Sequence, residues 1–110
     1  MIKDTLSKLE ATIKRVESVD SKHKKELLAL LNKLKTEVAA LPHSHAAQAN
    51  SIANFAQAAA HEAICDGSDA RMRELSREGL LYAAKKFEVS HPVLVGVVND
   101  ICRMLAQIGI

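Results

Sequence analysis

The residues able to do chemistry are few and scattered. His61 and Cys65 stand four apart in HEAIC, so a helix would carry both on one face. That spacing can supply two ligands to zinc, and with Glu62 it superficially resembles HExxH. The last position is Cys rather than His, however, and the sequence places no third ligand, whereas a zinc site needs three or four convergent ones. His61 also falls on the polar side of its predicted helix with Asn50, Asn54 and Gln57. It is read as a solvated or structural histidine. His43 and His45 flank a helix start and offer two more imidazoles, which loop polarity and capping explain. Cys102 lies beside an apolar stripe, where a free thiol packs as a small hydrophobe. There is no Gly-rich phosphate loop, nucleophile elbow or inward carboxylate pair. No catalytic residue, metal or other cofactor is expected.

Charge adds little. The 15 basic and 13 acidic residues leave a formal net charge of +2, too small to imply a nucleic-acid partner. Residues 1–41 carry nine basic and six acidic groups, and residues 42–110 carry six and seven. The densest basic point is Lys22, Lys24 and Lys25 around His23. A nucleic-acid surface would need these and Lys33 and Lys35 on one side, with an aromatic to stack. They read better as a solvated helix flank. No apolar run reaches the ~18 residues of a membrane span. The N-terminus is amphipathic rather than an apolar signal core, so secretion is not expected. Cys65 and Cys102 lack paired spacing and read as free thiols of the cytoplasm.

The elements that must position these residues are helical. Apolar residues make up 48% of the chain and aromatic ones 3%, so the core is aliphatic. Abundant Ala, Leu, Lys and Glu favour helix throughout. A first helix is predicted over 3–18, with Ile2, Leu6, Leu9, Ile13 and Val16 in a narrow seam of coiled-coil type. After a cap at Asp20-Ser21, a second helix over 21–41 repeats the pattern in Leu27, Leu31, Leu34, Val38 and Leu41, with Leu30 and Leu28 beside it. The short connection makes an antiparallel hairpin. Its leucine excess asks for a third surface, from the rest of the chain or from another subunit. Pro42 breaks the helix, Ser44 can cap the next, and a single domain divides there into a hairpin (1–41) and a bundle unit (42–110).

The third helix (45–65) presents Ala49, Ile52, Ala56, Ala59, Ala60 and Ala63, flanked by Phe55 and Ile64. So small a face suits close helix approach. Asp66-Gly67-Ser68 is a turn, with Ser68 able to cap a fourth helix (69–87). Its inner face is predicted as Met72, Leu75, Gly79, Tyr82 and Ala83, continued by Leu80 and Phe87, with Leu81 outside. Gly79 costs about 1 kcal/mol against Ala, which implies a close backbone crossing there. The last helix starts at Ser90-His91-Pro92, with Ser90 as cap and Pro in the first turn. Leu94, Val98, Ile101, Leu105 and Ile108 form its stripe, and Gly96, Asn99, Asp100, Arg103 and Gln107 its narrow wet side. Gly109 suits the left-handed position after a helix, with Ile110 folded back. This helix is expected at the centre of an all-α bundle of about five helices.

Three segments carry a family resemblance: His61-Glu62-Ala63, Phe87-Glu88 with Ser90-His91-Pro92, and Gly109-Ile110. With the leading amphipathic hairpin, they resemble the bacterial family described as domain of unknown function 4404. The resemblance covers most of the second half, and the first half only in heptad character. It implies a bacterial origin and a small helical protein, with no known activity and no catalytic residues. It draws attention to His61, Glu62 and His91.

The sequence thus reads as a non-enzymatic helical interaction or scaffolding module that self-associates as a homodimer. Leu6, Leu9, Ile13, Leu27, Leu28, Leu31 and Leu34 are the interface candidates. The alternative is a metal- or small-ligand-binding protein using His61 and Cys65, with His43, His45 or His91 as further ligands. A third reading is weak nucleic-acid binding through the basic hairpin.

Overall fold

The computed structural model describes residues 2–17, 19–64 and 69–108. Cys65, the Asp66-Gly67-Ser68 turn, the Gly109-Ile110 terminus and the side chain of Ile2 lie outside the described residues. Among those described there are five α-helices and no strand: α1 (Ile2–Arg15), α2 (Ser21–Ala39), α3 (Ala46–Ile64), α4 (Ala70–Lys85) and α5 (Pro92–Ile108). A single 3₁₀ turn, His43–His45, leads into α3.

The seam of α1 behaves as its spacing demands. Leu6, Leu9 and Ile13 are all buried. The helix ends at Arg15, earlier than predicted, and Asp20 is extended (φ −67°, ψ 162°) as the cap of α2. Val19, in the connection, turns inward and is 6% exposed. Asp20 Oδ1 accepts from the backbone N–H of His23 at 2.8 Å, satisfying one of the orphan donors of α2. In α2, Leu27, Leu31, Leu34 and Val38 are buried, while Leu28 and Leu30 pack at the core's edge. Lys35 Nζ and Glu10 Oε1 pair at 2.7 Å across the hairpin.

The hairpin packs onto the rest of the chain: α1 lies against α3 and α2 against α5. One continuous apolar cluster, from Leu6 to Leu105, takes residues from all five helices. The leucine excess of α2 is therefore met within the chain, by α5. The expected central role of α5 is shared. It touches α2, α3 and α4, while α3 touches α1, α4 and α5. On α5 the predicted stripe is buried at Leu94, Val98, Ile101 and Leu105, joined by Val97, Cys102 and Met104. Gly96, Asn99, Asp100, Arg103 and Gln107 are exposed, as the pattern requires.

Three helix starts differ from expectation by a residue or two. Ser44 lies inside the 3₁₀ turn and does not stand as the cap of α3. The N-cap of α4 is Asp69, not Ser68; its carboxylate accepts from the N–H of Arg71 at 2.9 Å. His91, not Ser90, stands immediately before α5, and its carbonyl accepts from Val95 N–H at 3.4 Å. The Ser90 hydroxyl is instead 3.0 Å from Nδ1 of His91.

The largest correction concerns α4. Its buried residues are Ser76, Leu80 and Ala84, with Ala83 partly covered. Met72, Leu75 and Tyr82, predicted to face inward, are 47%, 42% and 73% exposed. At about 100° per residue the true inner face lies more than a quarter-turn from the predicted one. The alanine-lined α3 offers a shallow surface. Ser76, Leu80 and Ala84 lie on the covered side of α4, which leaves the Met72, Leu75 and Tyr82 stripe outside. At Gly79 the nearest neighbour is a side chain of α3. A Cβ there would lie 2.4 Å from Cε1 of Phe55, so the space is taken by that ring.

Candidate interaction surface

The predicted interface residues are mostly spent in the core. Leu6, Leu9, Ile13, Leu27, Leu31 and Leu34 are each no more than 4% exposed within the single chain. Leu28 alone stays half-buried, in a shallow groove of about 460 Å³ with Ser21, Lys22, Lys24 and Lys25. The hairpin lysines do not form one sheet of charge. Lys35 is engaged by Glu10, and Lys24 Nζ donates to the carbonyl of Lys14 at 3.3 Å.

The histidines are not brought to one point. His61 is exposed and Glu62 half-buried; Cys65 is outside the described residues. Among the described residues, no group of three or more His, Cys, Asp or Glu is placed to hold a metal ion. His43 is exposed. His45 and His91 do share a neighbour. Phe87, 2% exposed, meets the ring of His45 at 5.4 Å between centroids and 84°. It meets His91 at 5.6 Å and 78°. These are favourable edge-to-face contacts. Phe87 also accepts, through its carbonyl, the N–H of His91 at 2.8 Å. Phe87 and His91, both in segments of the family resemblance, thus meet His45 where the α4–α5 turn approaches the start of α3.

Cys102 is buried and free. Burial pushes its thiol up to about 11, with Arg77 pulling weakly the other way. The nucleophilic thiolate is therefore suppressed near neutral pH. Asp20 moves the other way. The backbone N–H of His23, then its ring, hold the carboxyl below its ordinary range. The side-chain oxygen Oε1 of Gln48 is buried without a hydrogen-bond partner.

What sequence reasoning missed is the outer side of α4. Met72, Leu75 and Tyr82 run along it in one stripe, and Phe55 of α3, 40% exposed, lies over Gly79 in the middle. Leu81 lies beyond the charged Glu78 and Lys85, and with them, Tyr82, Glu88 and Val95 of α5 it lines a groove of about 350 Å³. Val89 and Val93 beyond it are 95% and 63% exposed. The large, exposed apolar side chains among the described residues are thus Phe55 on α3, Met72, Leu75, Leu81 and Tyr82 on α4, Val89 after α4 and Val93 on α5. The helical spacing of the stripe was visible in the sequence. Which way it faces was not.

No helix among the described residues is long and apolar enough to cross a membrane. The sequence model of one family, described as a domain of unknown function (DUF4404), matches residues 27–110. That stretch contains every residue of the α4 face. No curated protein and no solved structure matches the chain.

Proposed function

The chain belongs to the family of the domain of unknown function DUF4404, and we propose that it is a non-enzymatic helical interaction module whose contact surface is the outer face of α4. The observation that carries this reading is the apolar stripe of Met72, Leu75 and Tyr82 with Phe55 laid into it. A scattered exposed apolar residue needs no explanation, but a clustered group marks an interaction site more often than chance. The chain's own helices cover the α1–α2 seam, so the contact surface of this reading is α4 and not that seam. The free, buried thiol of Cys102 fits a reducing compartment such as the cytoplasm.

A photoreactive phenylalanine analogue at position 82 tests this in the producing cell. The expected result is a discrete cross-linked product that disappears in the Leu75→Gln variant and is not formed from the same analogue at Lys33, an exposed position on α2. Equal products from both positions, or none from position 82, would refute the proposal.

A further inference from the structure

Exposed charges beside the stripe say what kind of partner suits it. Within α4 the exposed ionic side chains are Arg71, Glu74, Glu78 and Lys85; Asp69 caps its start, and Lys86 and Glu88 follow its end. Among the four within the helix, the outer two are basic and the inner two acidic. At about 100° per residue, Arg71, Glu74, Glu78 and Lys85 all fall on one flank of the Met72–Tyr82 stripe. Phe55 and α3 close the other flank. Arg71 already pairs with Glu74 at 2.8 Å, but both side chains are more than half exposed, so a partner's charges can compete with so weak a contact.

This order is the same read in either direction, and that works against a second copy. In an antiparallel two-fold pairing centred on residue 77, Met72 would meet Tyr82 of the copy, which is sterically reasonable. Like flanks would then face each other, with Arg71 beside the copy's Lys85 and Glu74 beside its Glu78. Such like-charge juxtaposition is the usual device by which a wrong partner is rejected. In a parallel pairing each charged flank would face the partner's α3 and Phe55.

Resting on the reading of α4 as a docking face, we infer that its partner is an amphipathic helix of another protein, with apolar residues at i, i+3, i+7 and i+10, a basic middle and acidic ends. Apolar residues of that helix would lie along Met72, Leu75 and Tyr82, the usual helix-on-helix mode of recognition. Its central Lys or Arg side chains would meet Glu74 and Glu78.

The test uses the full chain and two labelled synthetic peptides of about 18 residues, long enough to form helix. Both carry Leu at the four apolar positions. One has a basic middle and acidic ends; the other has the same charges in the opposite order. Fluorescence anisotropy should show the first binding at least about ten-fold more tightly, with the preference shrinking as salt rises. Leu75→Gln with Tyr82→Gln should remove binding of both, and Glu74→Lys with Glu78→Lys, which leaves the flank uniformly basic, should abolish the preference. Equal binding of the two peptides would overturn the charge inference while leaving α4 as a docking face. Binding of neither, or binding indifferent to Leu75 and Tyr82, would overturn the docking of a helix altogether. A concentration-dependent dimer in sedimentation, dissociated by the Leu75 and Tyr82 substitutions, would show that a second copy is the occupant and overturn the foreign partner.

Discussion

Phe55 of α3 lies directly on Gly79 of α4, so close that the glycine's missing Cβ would fall 2.6 Å from Cδ1 of the ring. The ring remains 40% exposed. It fills a notch in α4 without leaving the surface. That one contact explains why a helix-weakening glycine stands mid-helix, and why the apolar stripe of α4 is continuous rather than interrupted at its centre.

The pair makes a double-mutant cycle. In the wild-type background, Gly79→Ala gains helix propensity but must displace the Phe55 ring, and the two effects oppose each other. Once the ring is removed by Phe55→Ala, the same change should stabilise by about 1 kcal/mol, the ordinary Gly-to-Ala difference in a helix. Urea denaturation of the four proteins measures the coupling. Additive effects would mean that ring and glycine are independent.

Substitutions in the α1–α2 seam should unfold the protein rather than dissociate it. Leu31 is 1% exposed and Leu9 4%, and both are covered within the chain. Leu31→Ala should cost about 2–5 kcal/mol. Leu31→Lys buries an unpaired charge and should abolish the cooperative transition, since a domain has only about 5–15 kcal/mol in total. Circular dichroism at several protein concentrations distinguishes unfolding from loss of an assembly: the helical signal should be lost at all of them.

Acid should attack the cap of α2. The folded carboxyl of Asp20 is held below its unfolded value of 3.8, chiefly by the His23 backbone N–H. A depressed folded pKa contributes stability that is present above the unfolded value and lost as pH falls through the folded one. Asp20→Asn keeps a capping oxygen and removes the charge, so it should flatten this part of the acid limb. Asp20→Ala should lower stability at neutral pH as well. Denaturation midpoints between pH 6 and pH 2 check both.

The fold was legible wherever one stripe clearly dominated a helix. On α1, α2 and α5 the leucine and isoleucine spacing admits a single buried face, and Leu6, Leu31 and Leu105 lie in it. On α4 the predicted face joined Met72, Leu75 and Tyr82 to Ala83, Leu80 and Phe87; the last three are covered, with Ser76 and Ala84, and the first three are not. Hydropathy does not separate the two sets, whereas packing within the bundle does, and no local signal reports a neighbour's shape. Ala53, 1% exposed, was overlooked on α3 for the same reason, since its burial depends on how many helices surround α3. The candidate surface inherits that ambiguity. Gly79 did signal close approach, but the approaching group is a side chain from another helix. The Ser90-His91-Pro92 start was found to within one residue, while the contacts of His45 and His91 with Phe87 arise only when distant segments meet.

Alkali should act through Cys102. Its thiol is raised from 9.0 to about 11 because burial disfavours the thiolate. Between these values the unfolded chain has released the proton and the folded chain has not, so unfolding gains on folding as pH rises. The stability linked to this group is therefore complete below pH ~9 and lost as pH passes ~11. Cys102→Ala leaves a small void and should start less stable at neutral pH, yet fall less steeply across that window. Denaturation curves at pH 8, 9.5 and 11 measure the difference in slope. Thiol labelling gives a second check. With Cys65→Ser, Cys102 is the one cysteine left of the chain's 2. It should then react with a thiol reagent only as fast as the core opens, and rapidly once urea unfolds the chain. Rapid labelling of the folded protein at pH 8 would contradict both the burial and the raised value.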